Sequence, residues 1–182
     1  MRKTDRIAEF VQGLEAVSVR GLDPHFAGYF ECFNSGRYYE AHDVLEDLWL
    51  RQGREHPDHS FHKGLIQLAG GFVHLRLQYL NPHHPKHGRR LAPARRLLLL
   101  AAGNLAPYAA FHLGVDVVAV LRLAEETAVA IGEPDALRNP WSPDAPPRII
   151  PAIELDPSLK EAQGALKDEN LDEDLRGILS SP

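Results

Sequence analysis

The stretch from about Ser60 to Leu80 constrains the fold more than any other, because its helical pattern is apolar nearly all round. A helix of that kind needs cover on most sides, which makes it the centre of a bundle. Its stop signal is Asn81-Pro82. Only a few polar side chains interrupt it. With Gln67 at zero, His74 and Gln78 fall within about 20° of one line, flanked by Gly70 and Gly71. Polar groups on a buried helix need partners, and glycine lets another backbone or a ligand approach.

The cover is written on both sides of this segment. Ile7, Phe10, Val11, Leu14 and Val17 recur at helical spacing, and Asp23-Pro24 then supplies an N-cap followed by proline at the first helical position. The second helix carries Phe26, Tyr29, Phe30 and Phe33 and should stop at Asn34-Ser35-Gly36. A third runs from about Tyr38 to Gln52, ended by Gly53, with a polar link containing Pro57 behind it. After the loop His83 to Arg90, Pro93 fits only the first turn of a helix reaching about Asn104. Asp116 caps a sixth, with Val117, Leu121, Ala124, Ala128 and Ile131 on its stripe and Gly132 closing it.

From Glu133 the prolines 134, 140, 143, 146, 147, 151 and 157 forbid a further helix, while Trp141, Ile149, Ile150 and Ile153 offer apolar anchors. This reads as an extended strap across the bundle. No strand-period segment of convincing length occurs. The fold class is therefore all-α: a bundle of about five to six helices with a proline-rich C-terminal strap. The domain spans 1–153 and an acidic tail 154–182, in which Leu159 to Leu179 is weakly helical. That tail holds eight acidic residues against Lys160, Lys167 and Arg176, so it carries the whole formal charge of −5. No global nucleic-acid field follows from the rest.

Cys32 is the only cysteine, which excludes an internal disulfide and a Cys-rich zinc module and suits a reducing compartment. No long apolar leader is present, and the run Leu97 to Ala102 is too short to cross a bilayer. The chain reads as cytoplasmic, with no membrane partner.

The third helix nominates a site. His42, Glu46 and Trp49 stack on one stripe, and at about 100° per residue Glu40, Asp43 and Asp47 take the far, solvated arc. His42 and Glu46 border the apolar arc of Tyr38, Ala41, Leu45, Leu48 and Trp49, so they should look inward. A short link to the next helix commonly packs the two antiparallel, setting His42 and Glu46 against Gln67 and His74.

Phe33-Asn34-Ser35-Gly36-Arg37-Tyr38-Tyr39-Glu40-Ala41-His42-Asp43-Val44-Leu45-Glu46-Asp47-Leu48-Trp49, followed by Lys63-Gly64-Leu65-Ile66-Gln67-Leu68-Ala69, resembles the domain of unknown function 309 family. The family carries a His-x-x-x-Glu-x-x-Trp motif, and the likeness covers roughly 24–104. It implies a small all-helical fold and a suspected metal or active site at His42 and Glu46.

For chemistry, His42, Glu46 and His74 are candidate ligands to one divalent metal, with zinc, iron and manganese not distinguished and Gln67 orienting a water. His42 and Glu46 are also the candidate catalytic residues of a hydrolase-like reaction, with Tyr38, Trp49, Gln67 and Gly71 lining the pocket. The spacing is not that of a zincin, and the absence of Glu-x-x-His leaves a di-iron site unsupported. A hydrogen-bonded structural cluster within a non-catalytic ligand-binding or interaction module stands as the alternative. A third reading uses the basic segment 86–96, with Lys86, Arg89, Arg90, Arg95 and Arg96, for phosphate or nucleic acid. A solvated helix face is favoured over it, because no aromatic platform accompanies the charges. The expected partner is an unknown small molecule, and composition permits a homo-oligomer without calling for one.

Overall fold

The computed structural model describes residues 7–12, 23–133 and 135–149. Leu14, Val17, Pro134, Ile150, Pro151, Ile153, Pro157, the boundary at 153 and the acidic tail lie outside the described residues. Six helices appear in order: α1 (residues 7–12), α2 (Pro24–Asn34), α3 (Tyr38–Gln52), α4 (His59–Leu80), α5 (Leu91–Leu105) and α6 (Val117–Ile131). A two-stranded hairpin, β1 (Phe111–His112) with β2 (Val115–Asp116), sits between the last two.

Local chemistry sets the boundaries. Asp23 accepts from the His25 N–H at 2.9 Å with Pro24 at the first helical position, so α2 starts as its sequence requires. Gly36 takes φ +74°, and its N–H reaches the Phe33 carbonyl, turning the chain directly into α3. Asp116 caps α6 by accepting from the Ala119 N–H at 2.9 Å.

The helix α4 lies at the centre, packed on α3 along one side and α5 along the other, with α2 against α3 and α6 against α5. Two glycines allow the α4–α5 approach. A Cβ on Gly64 would lie 2.7 Å from the Leu105 Cγ, and one on Gly71 2.9 Å from the Leu98 Cγ. Tyr29, Phe30, Phe33, Tyr38, Phe61 and Phe72 fill the α2–α3–α4 interior. Tyr29 is fully buried and donates to the Leu65 carbonyl at 2.7 Å, which satisfies the one polar atom of its ring.

The strap crosses this bundle through three polar clasps. Asn139 donates to the Leu75 carbonyl at 2.8 Å, Trp141 donates from its indole to the Tyr38 hydroxyl at 3.1 Å, and the Asn34 amide exchanges two 2.7 Å hydrogen bonds with the Ile149 backbone. Each clasp joins the strap to a different helix: α4, α3 and α2 in turn. Ile149 is buried beside its clasp, as an apolar anchor should be.

The hairpin is a feature the sequence pattern did not announce. Its strands are two residues each, and Leu113 and Gly114 both take positive φ, as a tight two-residue turn requires. No helix among the described residues is long and apolar enough to cross a membrane.

Candidate metal centre

Helix α3 brings the site together over a single turn. The His42 Nδ1 lies 3.0 Å from an Asp43 carboxylate oxygen and 4.0 Å from a Glu46 oxygen. One ligand atom from each of His42, Asp43 and Glu46 lies within 4.8 Å of the others, and no other such group of three occurs among the described residues. Asp43 is the unforeseen member. Helical angles put it on the solvated arc, yet its side chain is only 7% exposed. The arc is narrower than the wheel implies because α2 and α4 flank α3 on both sides. His42 and Glu46, at 30% and 35%, are half-exposed rather than buried. The pair sits at the rim of the core, open to solvent.

Opposite this turn lies Gly70 of α4. A Cβ there would sit 3.9 Å from the His42 ring and 3.4 Å from a Leu97 methyl, so α4 meets His42 at Gly70. Gly70 therefore places no side chain between α4, His42 of α3 and Leu97 of α5. Tyr39 stacks on the His42 ring, with centroids 6.5 Å apart and planes at 16°.

The polar residues on either side of Gly70 along α4 bond to Asn104 and Arg90 instead of to His42. Gln67 accepts from the Asn104 amide at 2.7 Å, and the His74 Nδ1 accepts from Arg90 at 2.9 Å. An imidazole nitrogen that accepts from guanidinium is unprotonated, so His74 is neutral. Burial first, and then the positive charges of Arg90 and Arg96, hold its pKa down at about 4. His74 therefore stands outside the converging group, and Asp43 takes the third place. The sequence had no signal for Arg90 or Asn104 as partners, since they lie 16 and 37 residues from His74 and Gln67.

Three expected pocket residues serve packing. Tyr38 is buried in the core, where its hydroxyl receives the strap's Trp141. Trp49 stacks on His59 at 4.7 Å and donates to the His59 carbonyl at 3.0 Å, closing the α3–α4 link. Gly71 points at Leu98 and the Ala94 carbonyl, one position round the helix from Gly70. In the basic segment, Arg95 pairs with Glu133 at 3.1 Å.

The donor set fits a divalent cation: one imidazole and two carboxylates, whose net charge with neutral His42 is complementary to it. The His42 Nδ1 and the Asp43 oxygen lie within hydrogen-bond distance, at 3.0 Å.

No curated protein and no solved structure matches this chain. The family model described as "Domain of unknown function (DUF309)" matches residues 26–82, a span that holds most of α2 and all of α3 and α4, with His42, Asp43, Glu46, Gly70 and His74, and ends before Arg90. Over these residues the chain is similar to that family, and the likeness ends just after α4.

Proposed function

We propose that the protein binds one divalent cation through His42, Asp43 and Glu46 and that the surface beside Gly70 is the site of a hydrolase-like reaction on a small molecule. The convergence of three ligand atoms within 4.8 Å on one helical turn carries this reading. A cation held by these three residues would supply Lewis-acid polarisation of a carbonyl or phosphoryl oxygen. The chain's own residues do the rest. Tyr39 fixes the plane of the His42 ring, so its Nδ1 stays directed at the carboxylates. Glu46, partly exposed, would be the ligand nearest solvent. Gly70 leaves the room that a side chain would occupy.

A non-catalytic ligand-binding module is the second reading. The pairing of Gln67 with Asn104 and of His74 with Arg90 favours it, since these polar groups satisfy one another as a structural network does.

Equilibrium dialysis of chelator-treated, untagged protein against Mn²⁺ and Zn²⁺ tests the first reading. One equivalent should bind, and His42→Ala, Asp43→Asn and Glu46→Gln should each abolish it, while His83→Ala in the histidine-rich loop leaves it intact. Loss on His83→Ala alone would assign the metal to the loop and end the reading.

A further inference from the structure

The outer side of α5 holds a cavity of about 330 Å³, lined by Ala92, Arg95, Arg96, Leu99 and Leu100 of the helix and by Leu137 of the strap. Its bed is apolar. Leu99 and Leu100 are 45% and 47% exposed, and neighbouring leucines open to water at one place are surface that a partner would cover. The arginines beside them are under-used. Arg95 reaches the well-exposed Glu133 with one terminal nitrogen at 3.1 Å, while its Nε is buried and has no hydrogen-bond partner. Arg96 is exposed and has no ion-pair partner among the described residues. An apolar bed edged by two guanidiniums, with no aromatic ring for a base to stack on, suits an acidic amphipathic peptide better than a nucleic acid.

The same chain contains such a peptide. In the sequence of the acidic tail, Leu171, Leu175 and Ile178 stand four and three residues apart, among Asp168, Glu169, Asp172, Glu173 and Asp174. That spacing is what a segment needs to lay one apolar side into a groove and keep its carboxylates at the edges. The charges are complementary. The tail carries the whole formal charge of −5, whereas the segment 86–96, which runs into the cavity, holds Lys86, Arg89, Arg90, Arg95 and Arg96 and no acid.

The tail also has the length to arrive. The last described residue of the strap, Ile149, is clasped to Asn34 at the end of α2. From α2 to α5 is a path over α3 and α4, about 30 Å at the usual interaxial spacing. The chain from 150 to 167 can span about 60 Å when extended. A tethered segment meets its site at an effective concentration on the order of millimolar, so modest contacts suffice.

We propose that residues 168–179 of this chain dock in the α5 cavity, with Leu171, Leu175 and Ile178 on Leu99, Leu100 and Leu137 and the flanking carboxylates on Arg95 and Arg96. The docked segment covers the exposed leucines and neutralises the basic side of α5. It needs neither the cation nor a substrate, so it stands apart from the metal reading.

Paramagnetic broadening in the full-length protein tests the docking. Cys32 is completely buried and burial pushes its thiol pKa up to about 12, so a thiol-reactive nitroxide on the Ser180→Cys protein goes to the tail. The amide resonances of Leu99, Leu100 and Leu137 should lose more than half of their intensity. Arg96→Glu in the cavity and Leu175→Asp in the tail should each restore it, whereas Arg122→Glu, an exposed site on α6 outside the cavity, should not. Unbroadened α5 resonances, broadening that survives Arg96→Glu or Leu175→Asp, or equal recovery with Arg122→Glu would overturn the proposal. Broadening of equal strength on ¹⁵N chains mixed with nitroxide-bearing ¹⁴N chains would place the tail of a second copy in the cavity and overturn it as well.

Discussion

Adjacent glycines on α4 should respond in opposite directions to the same added methyl group. In a helix interior, Gly→Ala gains about 1 kcal/mol of helix propensity, and this gain is common to Gly70 and Gly71. At Gly70 the new Cβ meets Leu97 at 3.4 Å and His42 at 3.9 Å, which is ordinary contact. Gly70→Ala should therefore stabilise the fold by about 0.5–1 kcal/mol. At Gly71 the Cβ would lie 2.9 Å from both Cγ and Cδ2 of Leu98, a fully buried residue, and the crowding reaches the middle of the side chain rather than its tip. Overpacking of this sort costs about 1–3 kcal/mol, so Gly71→Ala should be neutral to about 2 kcal/mol destabilised. Because the propensity gain cancels in the comparison, the two variants should differ by the overpacking cost itself, about 1–3 kcal/mol. Urea unfolding with an unchanged m-value measures the difference. Gly70→Ala should also weaken cation or ligand binding, because the added methyl lies 3.9 Å from the His42 ring. Equal stabilities for the two variants, or a Gly70→Ala protein less stable than Gly71→Ala, would refute the reasoning.

Asn34→Ala removes both hydrogen bonds to the Ile149 backbone and should cost about 1–3 kcal/mol in thermal unfolding. A double-mutant cycle of Tyr38→Phe and Trp141→Phe should show a coupling of about 0.5–1.5 kcal/mol, since the strap's indole and the helix's hydroxyl bond each other. His62 is buried against aromatic rings and its pKa is lowered to about 4, with burial the main cause. The unfolded chain thus takes up this proton before the native state does, and stability should fall as pH drops from about 6.5 towards about 4, by at most about 1.4 kcal/mol per pH unit for this group. His62→Phe should flatten that limb of the stability–pH curve.

The bundle was legible because its signals are local. The all-round apolar α4, the Asp23-Pro24 start, the Gly36 and Gly132 stops and the proline-dense segment after Glu133 each follow from the neighbouring residues alone. Trp141 and Ile149 also stood out as anchors, although their partners Tyr38 and Asn34 did not. The site was legible only along one helix. The wheel placed His42 and Glu46 at the border of the core, but it could not show that α2 and α4 cover enough of α3 to bury Asp43. It likewise could not separate Gly70 from Gly71, whose difference is decided by where the Leu97 and Leu98 side chains of α5 arrive. His74 was assigned to His42 because both looked inward; Arg90, at the far end of a loop, claims it instead. The hairpin was missed because two-residue strands have no period to detect.

An anomalous-difference map from a crystal of the untagged protein, grown without added metal, tests the central claim most directly. The account predicts a peak at about 2.0–2.2 Å from a nitrogen of His42 and from oxygens of Asp43 and Glu46, open on the side facing Gly70. A map whose only peak lies at His83 and His84, or one with no peak at His42 even after soaking in Mn²⁺ or Zn²⁺, would contradict it.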